Sequence, residues 1–219
     1  MPSEMPPQNI QRFFERLSAH IGQAQTELDF VNHYTLLVAV VLSAQATDKG
    51  VNKATKTLFR HVRTPEEMLD LGEEKLCGLI QTIGLYRTKA RYIMALSRLL
   101  MEQHKGEVPD QMEALCALPG VGRKTANVVL NVAFHQPTIP VDTHVFRVAN
   151  RTGLAPGNPP LHVETGLLRR VPKAFAHTAH HLLILHGRYT CTSRRPLCHS
   201  CVVRDVCVYD AKVLEPHIR

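Results

Sequence analysis

Four of the six cysteines in this 219-residue sequence fall in one short segment, as Cys191, Cys198, Cys201 and Cys207. Four thiolates at the spacing C-x6-C-x2-C-x5-C can hold either a zinc ion or an iron–sulfur cluster. Structural zinc sites usually use two tight pairs of ligands, whereas only Cys198 and Cys201 form such a pair here. The wider flanking gaps suit a loop that wraps a bulkier group, so the spacing favours an iron–sulfur cluster over zinc.

Two adjacent arginines, Arg194 and Arg195, lie between the first two of these cysteines. A short loop held at both ends by metal bonds would present them to a phosphate backbone with little ordering cost. A cluster at this place needs no redox role, because shaping a DNA-binding loop is sufficient reason for it.

A second pattern that could bind a ligand is the string ALPGVGRKTA at residues 117–126. Gly120 and Gly122 allow a tight turn around Val121, and a new helix is predicted to begin near Arg123. Backbone N–H groups of such a turn, at the start of a helix, can bind phosphate without reading base sequence. The string therefore predicts a helix-hairpin-helix that binds DNA backbone; the alternative is an ordinary connection between two helices.

Lys124 follows in the first turn of the second predicted helix. The positive end of the helix dipole disfavours an ammonium there and favours the neutral amine that Schiff-base chemistry needs. Without a partner group, the simpler interpretation is a lysine that binds phosphate.

The string IPVDTHVFR at residues 139–147 offers such a partner. Asp142 precedes a helical run, so its simplest role is the N-cap of that helix. Capping is compatible with catalysis, because a capping carboxylate is held rigidly and can face a cleft. His144 could bind a phosphate or lie in the helix interior, and the sequence leaves both possibilities open.

The elements that position these residues are predicted to be helical almost throughout. No segment alternates with period two, and residues 64–67 (TPEE) and 109–113 carry helix-start signals. Apolar residues recur at helical spacing over residues 10–21, 34–46, 51–62, 86–103, 124–134, 145–150 and 174–189. The expected fold class is all-α, with short helices in one or two bundles.

The net charge of +7 is concentrated in the second half of the chain. Residues 1–110 carry 13 basic and 13 acidic side chains, whereas residues 111–219 carry 13 basic and 6 acidic ones. This asymmetry points to a surface that faces a polyanion there, although composition alone equally fits a merely soluble basic face.

Composition also addresses location. The uncharged run at residues 30–47 contains polar side chains typical of a buried helix in a soluble protein, and the N-terminus has no apolar stretch of signal-peptide type. We therefore expect an intracellular protein without a membrane span. Cys77 and Cys116 stand alone on apolar helical faces and are interpreted as small core residues.

Together, the hairpin with Lys124, the VDTH string at residues 141–144, the LSAQATD string at residues 42–48 and the four-cysteine spacing resemble the bacterial endonuclease III family. The resemblance runs from about residue 26 to residue 207. It implies two helical domains with a DNA-binding cleft between them. Residues 26–136 would form a six-helix barrel carrying the hairpin, and residues 1–25 plus 137–219 an iron–sulfur domain.

The activity implied by the resemblance is that of a bifunctional DNA glycosylase and apurinic/apyrimidinic lyase of base excision repair. Such an enzyme removes oxidised pyrimidines, of the thymine-glycol type, from duplex DNA through a Schiff base and β-elimination. Lys124 would be the nucleophile and Asp142 its assisting carboxylate. Gln45 and Leu85 match family positions that fill the space vacated by the flipped nucleotide.

The resemblance further implies a 4Fe-4S cluster held by the four cysteines, and a monomer that binds double-stranded DNA containing damaged bases or abasic sites. The expected location is the bacterial cytoplasm, with nucleoid association through DNA. Two alternatives remain at this stage: a mismatch-type glycosylase of the same superfamily, and a non-catalytic DNA-binding iron–sulfur protein. A redox protein would leave the hairpin unexplained.

Overall fold

The computed structural model describes residues 3–215, and every regular element in that range is helical. The all-α prediction is therefore confirmed. The α-helices are α1 (Pro7–Ile21), α2 (His33–Ser43), α3 (Asp48–His61), α4 (Pro65–Leu71), α5 (Glu73–Ile80), α6 (Tyr86–His104), α7 (Met112–Cys116), α8 (Arg123–Phe134), α9 (Thr143–Thr152), α10 (Pro160–Arg170) and α11 (Ala179–Tyr189). Short 3-10 turns lie at Lys173–Phe175 and Cys198–Ser200.

The chain divides into two compact units, each with its own hydrophobic core. One unit is Glu27–Gln136 and contains α2 to α8; the other combines the described parts of Met1–Thr26 and Pro137–Arg219. The predicted iron–sulfur domain extends to residues 1–2 and 216–219, which lie outside the described residues.

Helix α2 forms the centre of the Glu27–Gln136 unit, where it contacts α3, α6 and α8. Its residues from Tyr34 to Leu42 are all buried, which explains why its sequence is apolar on every face. Asn32 caps its start by accepting a hydrogen bond from the Thr35 backbone N–H at 2.9 Å. No helix within residues 3–215 is long and apolar enough to cross a membrane.

Local helix-start signals were informative where a side chain actually caps the helix. Thr64 and Glu67 form the capping box predicted for α4. The signal at Pro109 and Asp110 was displaced, because α7 begins only at Met112 and no side chain caps it.

The other unit packs α1 and α9 against α11, around Phe13, Phe14 and Leu17 of α1. The prediction of one helix over residues 174–189 was wrong. A 3-10 turn covers Lys173–Phe175, where the Phe175 N–H bonds to the Pro172 carbonyl, and α11 begins only at Ala179. The i-to-i+3 bonding of that turn interrupts the α-helical register that the apolar spacing indicated.

Candidate functional site

The predicted hairpin is present between the end of α7 and the start of α8. Leu118 and Val121 anchor it in the core, and the Val121 N–H bonds to the Leu118 carbonyl at 3.1 Å. Gly120 has a φ of +78°, and a Cβ on it would lie 2.9 Å from Cβ of Tyr92. Only glycine fits this position, because both the backbone conformation and the neighbouring ring exclude a side chain.

The hairpin leads directly into the N-terminus of α8. Gly122 is the N-cap of α8, and no side chain caps this helix. The backbone N–H groups of its first turn can therefore bind a ligand. Gly122, Arg123 and Lys124 are all exposed. Lys124 is the second residue of α8, which confirms its predicted place in the first turn.

Gln45 and Leu85 lie at two other helix ends of the same unit. Gln45 follows α2 with a φ of +56°, and Leu85 is the N-cap of α6 with a φ of +60°. Both are exposed, Leu85 to 64%. Gln45 is therefore not a packing residue within a helix, and Leu85 is a turn residue and not a core residue. A leucine held outward in a left-handed conformation is unusual, and such strain is common at functional sites.

A lysine that sequence reasoning missed connects these two loops. Lys89, in α6, is 5% exposed, and its Nζ donates hydrogen bonds to the carbonyls of Leu42 at 2.9 Å and Ala44 at 2.6 Å. Burial lowers the pKa of this ammonium below its usual range. Its one sequence signal is its register, because Lys89 lies on the same face of α6 as the buried Ile93 and Leu96.

Asp142 is the N-cap of α9, as predicted. Its Oδ1 accepts a hydrogen bond from the Val145 backbone N–H at 2.7 Å, and the side chain is half-buried. His144 is the second residue of α9, half-buried, with its Nδ1 3.2 Å from the Arg147 guanidinium. His144 therefore lies in the first turn of α9 and not in the interior of the helix.

The four cysteines of the C-terminal segment line one pocket that is partly open to solvent. His186 and Arg151 line it too, and Arg151 donates to Sγ of Cys191 at 3.8 Å. Within residues 3–215, no three Cys, His, Asp or Glu side chains are placed to hold a single metal ion.

Burial around this pocket disfavours free thiolates. It raises the pKa of the Cys201 thiol to about 11 and raises that of Cys207 as well. Ligating thiols must be deprotonated, so the positive charge of bound iron would offset this cost. The donor set therefore suits a cationic metal centre.

Two arginines of α9 hold the first part of the cysteine loop, and the sequence analysis did not single them out. Arg147 donates to the Cys191 carbonyl at 2.9 Å, and Arg151 donates to the Thr192 and Ser193 carbonyls at 2.6 and 2.7 Å. Their spacing of four residues places both on one helix face, which is the only sequence signal of their shared role.

Arg194 and Arg195, next along the loop, are exposed. The Arg195 carbonyl accepts a hydrogen bond from the Thr192 hydroxyl at 2.6 Å, so the loop is closed upon itself at this point. Arg194 and Arg195 therefore lie in a loop that an internal hydrogen bond closes.

The two remaining cysteines differ from one another. Cys77 is half-buried against the core of the Glu27–Gln136 unit, as expected. The prediction for Cys116 was wrong, because it is exposed at the end of the five-residue α7, where its Sγ lies 3.7 Å from the sulfur of Met112. So short a helix buries only Leu115 and leaves its last residue in solvent.

The candidate residues fall into two sets. Gln45, Leu85 and residues 120–124 belong to the Glu27–Gln136 unit, whereas Asp142, His144, the paired arginines and the four cysteines belong to the other unit.

Two protein families match the chain. Residues 38–173, more than half of the chain, match the family of HhH-GPD superfamily base excision DNA repair proteins. Residues 191–207, which begin and end at the outer two of the four clustered cysteines, match the iron–sulfur binding domain of endonuclease III. The chain accordingly has a 4Fe-4S cluster as its cofactor.

Individual relatives agree with the family match. The chain is 57% identical to endonuclease III of Haemophilus influenzae over 198 residues, which cover 90% of this chain and 94% of that protein. The identity to endonuclease III of Escherichia coli K12 is 56% with the same coverage. A solved structure of a trapped endonuclease III–DNA covalent intermediate, in an estranged-adenine complex, superposes with a TM-score of 0.86 at 44% identity, covering 92% of this chain and 95% of that one. On this evidence, the chain belongs to the endonuclease III family of base excision DNA repair proteins.

Proposed function

We propose that this protein removes oxidised pyrimidines from duplex DNA, with Lys124 as nucleophile and Asp142 as the carboxylate that assists it. Its general activity follows from family membership: it is a bifunctional DNA glycosylase and apurinic/apyrimidinic lyase of base excision repair, and it binds DNA. The observation that best supports the assignment of the nucleophile is that Lys124 is exposed in the first turn of α8, a helix whose N-terminus follows the hairpin and has no side-chain cap.

The chemistry begins with extrusion of the damaged nucleotide, because the anomeric carbon cannot be reached inside the base stack. The neutral Lys124 amine donates its electron pair to that carbon, a C–N bond forms, and the glycosidic bond breaks with its electrons on the departing base. Ring opening of the sugar then gives a Schiff base. This cation acidifies the neighbouring sugar carbon, whose proton is lost as the 3′ phosphate leaves in a β-elimination.

Asp142 supports this sequence as a fixed negative charge. Its Oδ1 is held by the Val145 N–H, and a carboxylate so positioned stabilises the oxocarbenium-like charge or accepts the amine proton. The cap removes the rotational freedom that a mobile carboxylate would lose in the transition state.

The remaining candidate residues are assigned to DNA. Gln45 and Leu85 fill the vacated space in the duplex, in keeping with their exposure and outward backbone conformation. The backbone of Gly120, Val121 and Gly122 binds phosphate. Further phosphate contacts are assigned to Arg123, His144, Arg194 and Arg195.

We assign Cys191, Cys198, Cys201 and Cys207 as the ligands of the cluster, which when bound supplies the metal–thiolate bonds that pin the loop. In this proposal the Glu27–Gln136 unit is the helical barrel with the hairpin, and the other unit is the iron–sulfur domain. The protein acts as a monomer on damaged or abasic duplexes, and its DNA binding associates it with the bacterial nucleoid.

Covalent trapping tests the nucleophile. Wild-type protein incubated with abasic-site duplex and borohydride is expected to give a reduced cross-link, since borohydride traps a Schiff base. Lys124→Arg keeps the charge for DNA binding but should give no cross-link, and Lys56→Ala, which removes an exposed lysine of α3, serves as the matched control. Equal trapping by Lys124→Arg would refute the assignment.

Borohydride trapping and an excision assay together separate the alternatives. A non-catalytic DNA-binding protein would bind the duplex but neither excise nor trap. A mismatch-type glycosylase would excise an undamaged base opposite its partner, so an excision panel with thymine glycol and mismatched duplexes decides the substrate.

A further inference from the structure

A buried lysine lies between the two loops whose side chains are assigned to the vacated space in DNA, with its backbone in the first turn of α6 after Leu85 and its ammonium at the end of α2. The Lys89 ammonium donates to the carbonyl of Ala44, the residue immediately before Gln45, and to that of Leu42. The Lys89 backbone N–H in turn donates to the carbonyl of Leu85 at 3.0 Å. That backbone bond is the ordinary first-turn bond of α6, so only the two ammonium bonds depend on the lysine side chain. They tie the end of α2 to the first turn of the helix that Leu85 caps.

We propose that Lys89 is a positioning residue that sets the separation of Gln45 and Leu85 for entry into the DNA helix. The inference rests on the proposed role of those two side chains in DNA. It adds that their placement depends on a single buried contact and not only on the loops themselves.

The end of α2 explains why a cation is needed there. The last carbonyls of a helix lack intrahelical donors, and α2 ends at Ser43 with no Gly cap and no basic residue in its last turn. Lys89 supplies both hydrogen bonds and positive charge at this C-terminus, which the helix dipole favours. The chain then turns out at Gln45, whose φ of +56° costs energy for a residue with a side chain.

Leu85, at the start of α6, has a similarly unfavourable left-handed backbone conformation, with a φ of +60°, and its side chain is 64% exposed. Neither loop is held outward by burial of its own tip. Strained exposed residues persist only where the surroundings over-determine them. Lys89 is 5% exposed, and its two ammonium bonds fix the end of α2, next to Gln45, against the first turn of α6, next to Leu85.

The alternative is that Lys89 merely stabilises the pairing of α2 with α6. The chain offers a matched control for it, because Tyr34 and Ser97 form a second buried hydrogen bond, 2.6 Å long, between the same two helices. Tyr34 lies at the start of α2, the opposite end from Gln45. Ser97→Ala therefore weakens the helix pair without touching either loop.

The test compares two substrates. Single-turnover excision from a thymine-glycol duplex requires the vacated space to be filled, whereas borohydride trapping on single-stranded abasic DNA does not. Lys89→Met, which keeps the length but cannot donate, is expected to slow duplex excision at least tenfold, in line with the cost of small misplacements at active sites. Trapping on the single strand should stay within about twofold of wild type.

Coupling provides the second readout. Adding Gln45→Ala and Leu85→Ala to Lys89→Met should cause less further loss of duplex excision than the same pair causes in wild type, because the side chains are already misplaced. Ser97→Ala should keep both rates while lowering thermal stability.

Each outcome decides the inference. If Gln45→Ala and Leu85→Ala slow duplex excision but Lys89→Met does not, the positioning role is refuted and the proposed function stands. If the Gln45→Ala, Leu85→Ala pair leaves duplex excision at the wild-type rate, the DNA role of those side chains fails first, and this inference with it. Should Lys89→Met not fold, Lys89→Gln, which is shorter and uncharged, decides: a loss on both substrates alike, or no loss on either, overturns the proposal, whereas a duplex-only loss supports it.

Discussion

Asp142 offers a perturbation that separates structure from chemistry in a single residue. Its carboxylate caps α9 through the Val145 N–H at 2.7 Å and is also the group assigned to assist Lys124. Asn is as good an N-cap as Asp, whereas Ala cannot cap at all. Asp142→Asn therefore removes the charge and keeps the hydrogen bond, and Asp142→Ala removes both.

The two expected magnitudes differ widely. Loss of the cap in Asp142→Ala should cost about 1 kcal/mol, which lowers Tm by about 2–4 °C in a chain of this size. Asp142→Asn should leave Tm nearly unchanged. Loss of a catalytic carboxylate slows a reaction by about 10²- to 10⁴-fold, and both variants should show that loss in the glycosylase step.

Thermal unfolding followed by circular dichroism and single-turnover excision of thymine glycol measure the two effects separately. Both should be run on protein of equal iron content, so that cluster loss is not mistaken for either effect. Wild-type excision by Asp142→Asn would show that only the cap matters and would refute the chemical role. An unchanged Tm in Asp142→Ala would refute the capping argument instead.

Three further predictions concern the hairpin, the cysteine loop and a buried histidine. Gly120→Ala should lower Tm by more than Gly122→Ala, because a positive φ and crowded surroundings exclude a Cβ at Gly120, whereas a Cβ on Gly122 meets nothing within 4 Å and costs only some capping of α8. Equal Tm losses in the two variants would contradict this. Replacing both Arg194 and Arg195 by Gln should reduce the slope of log affinity against log salt by about 2, since each phosphate contact contributes about 0.9. An unchanged slope would remove both side chains from the DNA interface. Burial lowers the pKa of His181 from 6.5 to about 4, so only the unfolded chain takes up this proton between those values, and stability is lost as pH falls through that window. The loss of unfolding free energy is about 2 kcal/mol at pH 5. His181→Gln lacks the titrating group, so the difference in unfolding free energy between wild type and His181→Gln should change by that amount between neutral pH and pH 5. A difference that does not change with pH would show that His181 titrates normally in the folded protein.

Much of the fold could be predicted because helical periodicity reports burial directly. The apolar run that became α2 was identified as a buried helix from its few polar side chains, and Tyr34 to Leu42 are indeed buried. The failure at Ala179 has a different cause. Apolar spacing describes which side chains face the core, and it does not reveal a change from α to 3-10 hydrogen bonding within one segment.

Within the candidate site, the sequence could identify residues whose type is constrained by local chemistry. Asp142 before a helical run and Gly120 in a tight turn are of this kind, and their backbone geometry agrees with the prediction. Lys89 could not be found this way, because its partners are carbonyls of residues about 45 positions earlier in the chain. Carbonyls carry no sequence signature, so the register of α6 indicates that Lys89 faces the core but not which groups it binds.

Part of the positive charge in the second half of the chain also serves to bind backbone carbonyls. Arg147 and Arg151 are occupied with carbonyls of the cysteine loop, and Arg170 donates to the carbonyls of Met5 and Gly153. These three arginines bind carbonyl groups of the protein itself and therefore do not form a basic surface for DNA. The formal +7 therefore overstates the charge directed at DNA, and more so because four thiolates on an oxidised 4Fe-4S cluster carry roughly −2 in total. Salt dependence of DNA binding should accordingly follow the few exposed cations on ordered loops, rather than the net charge.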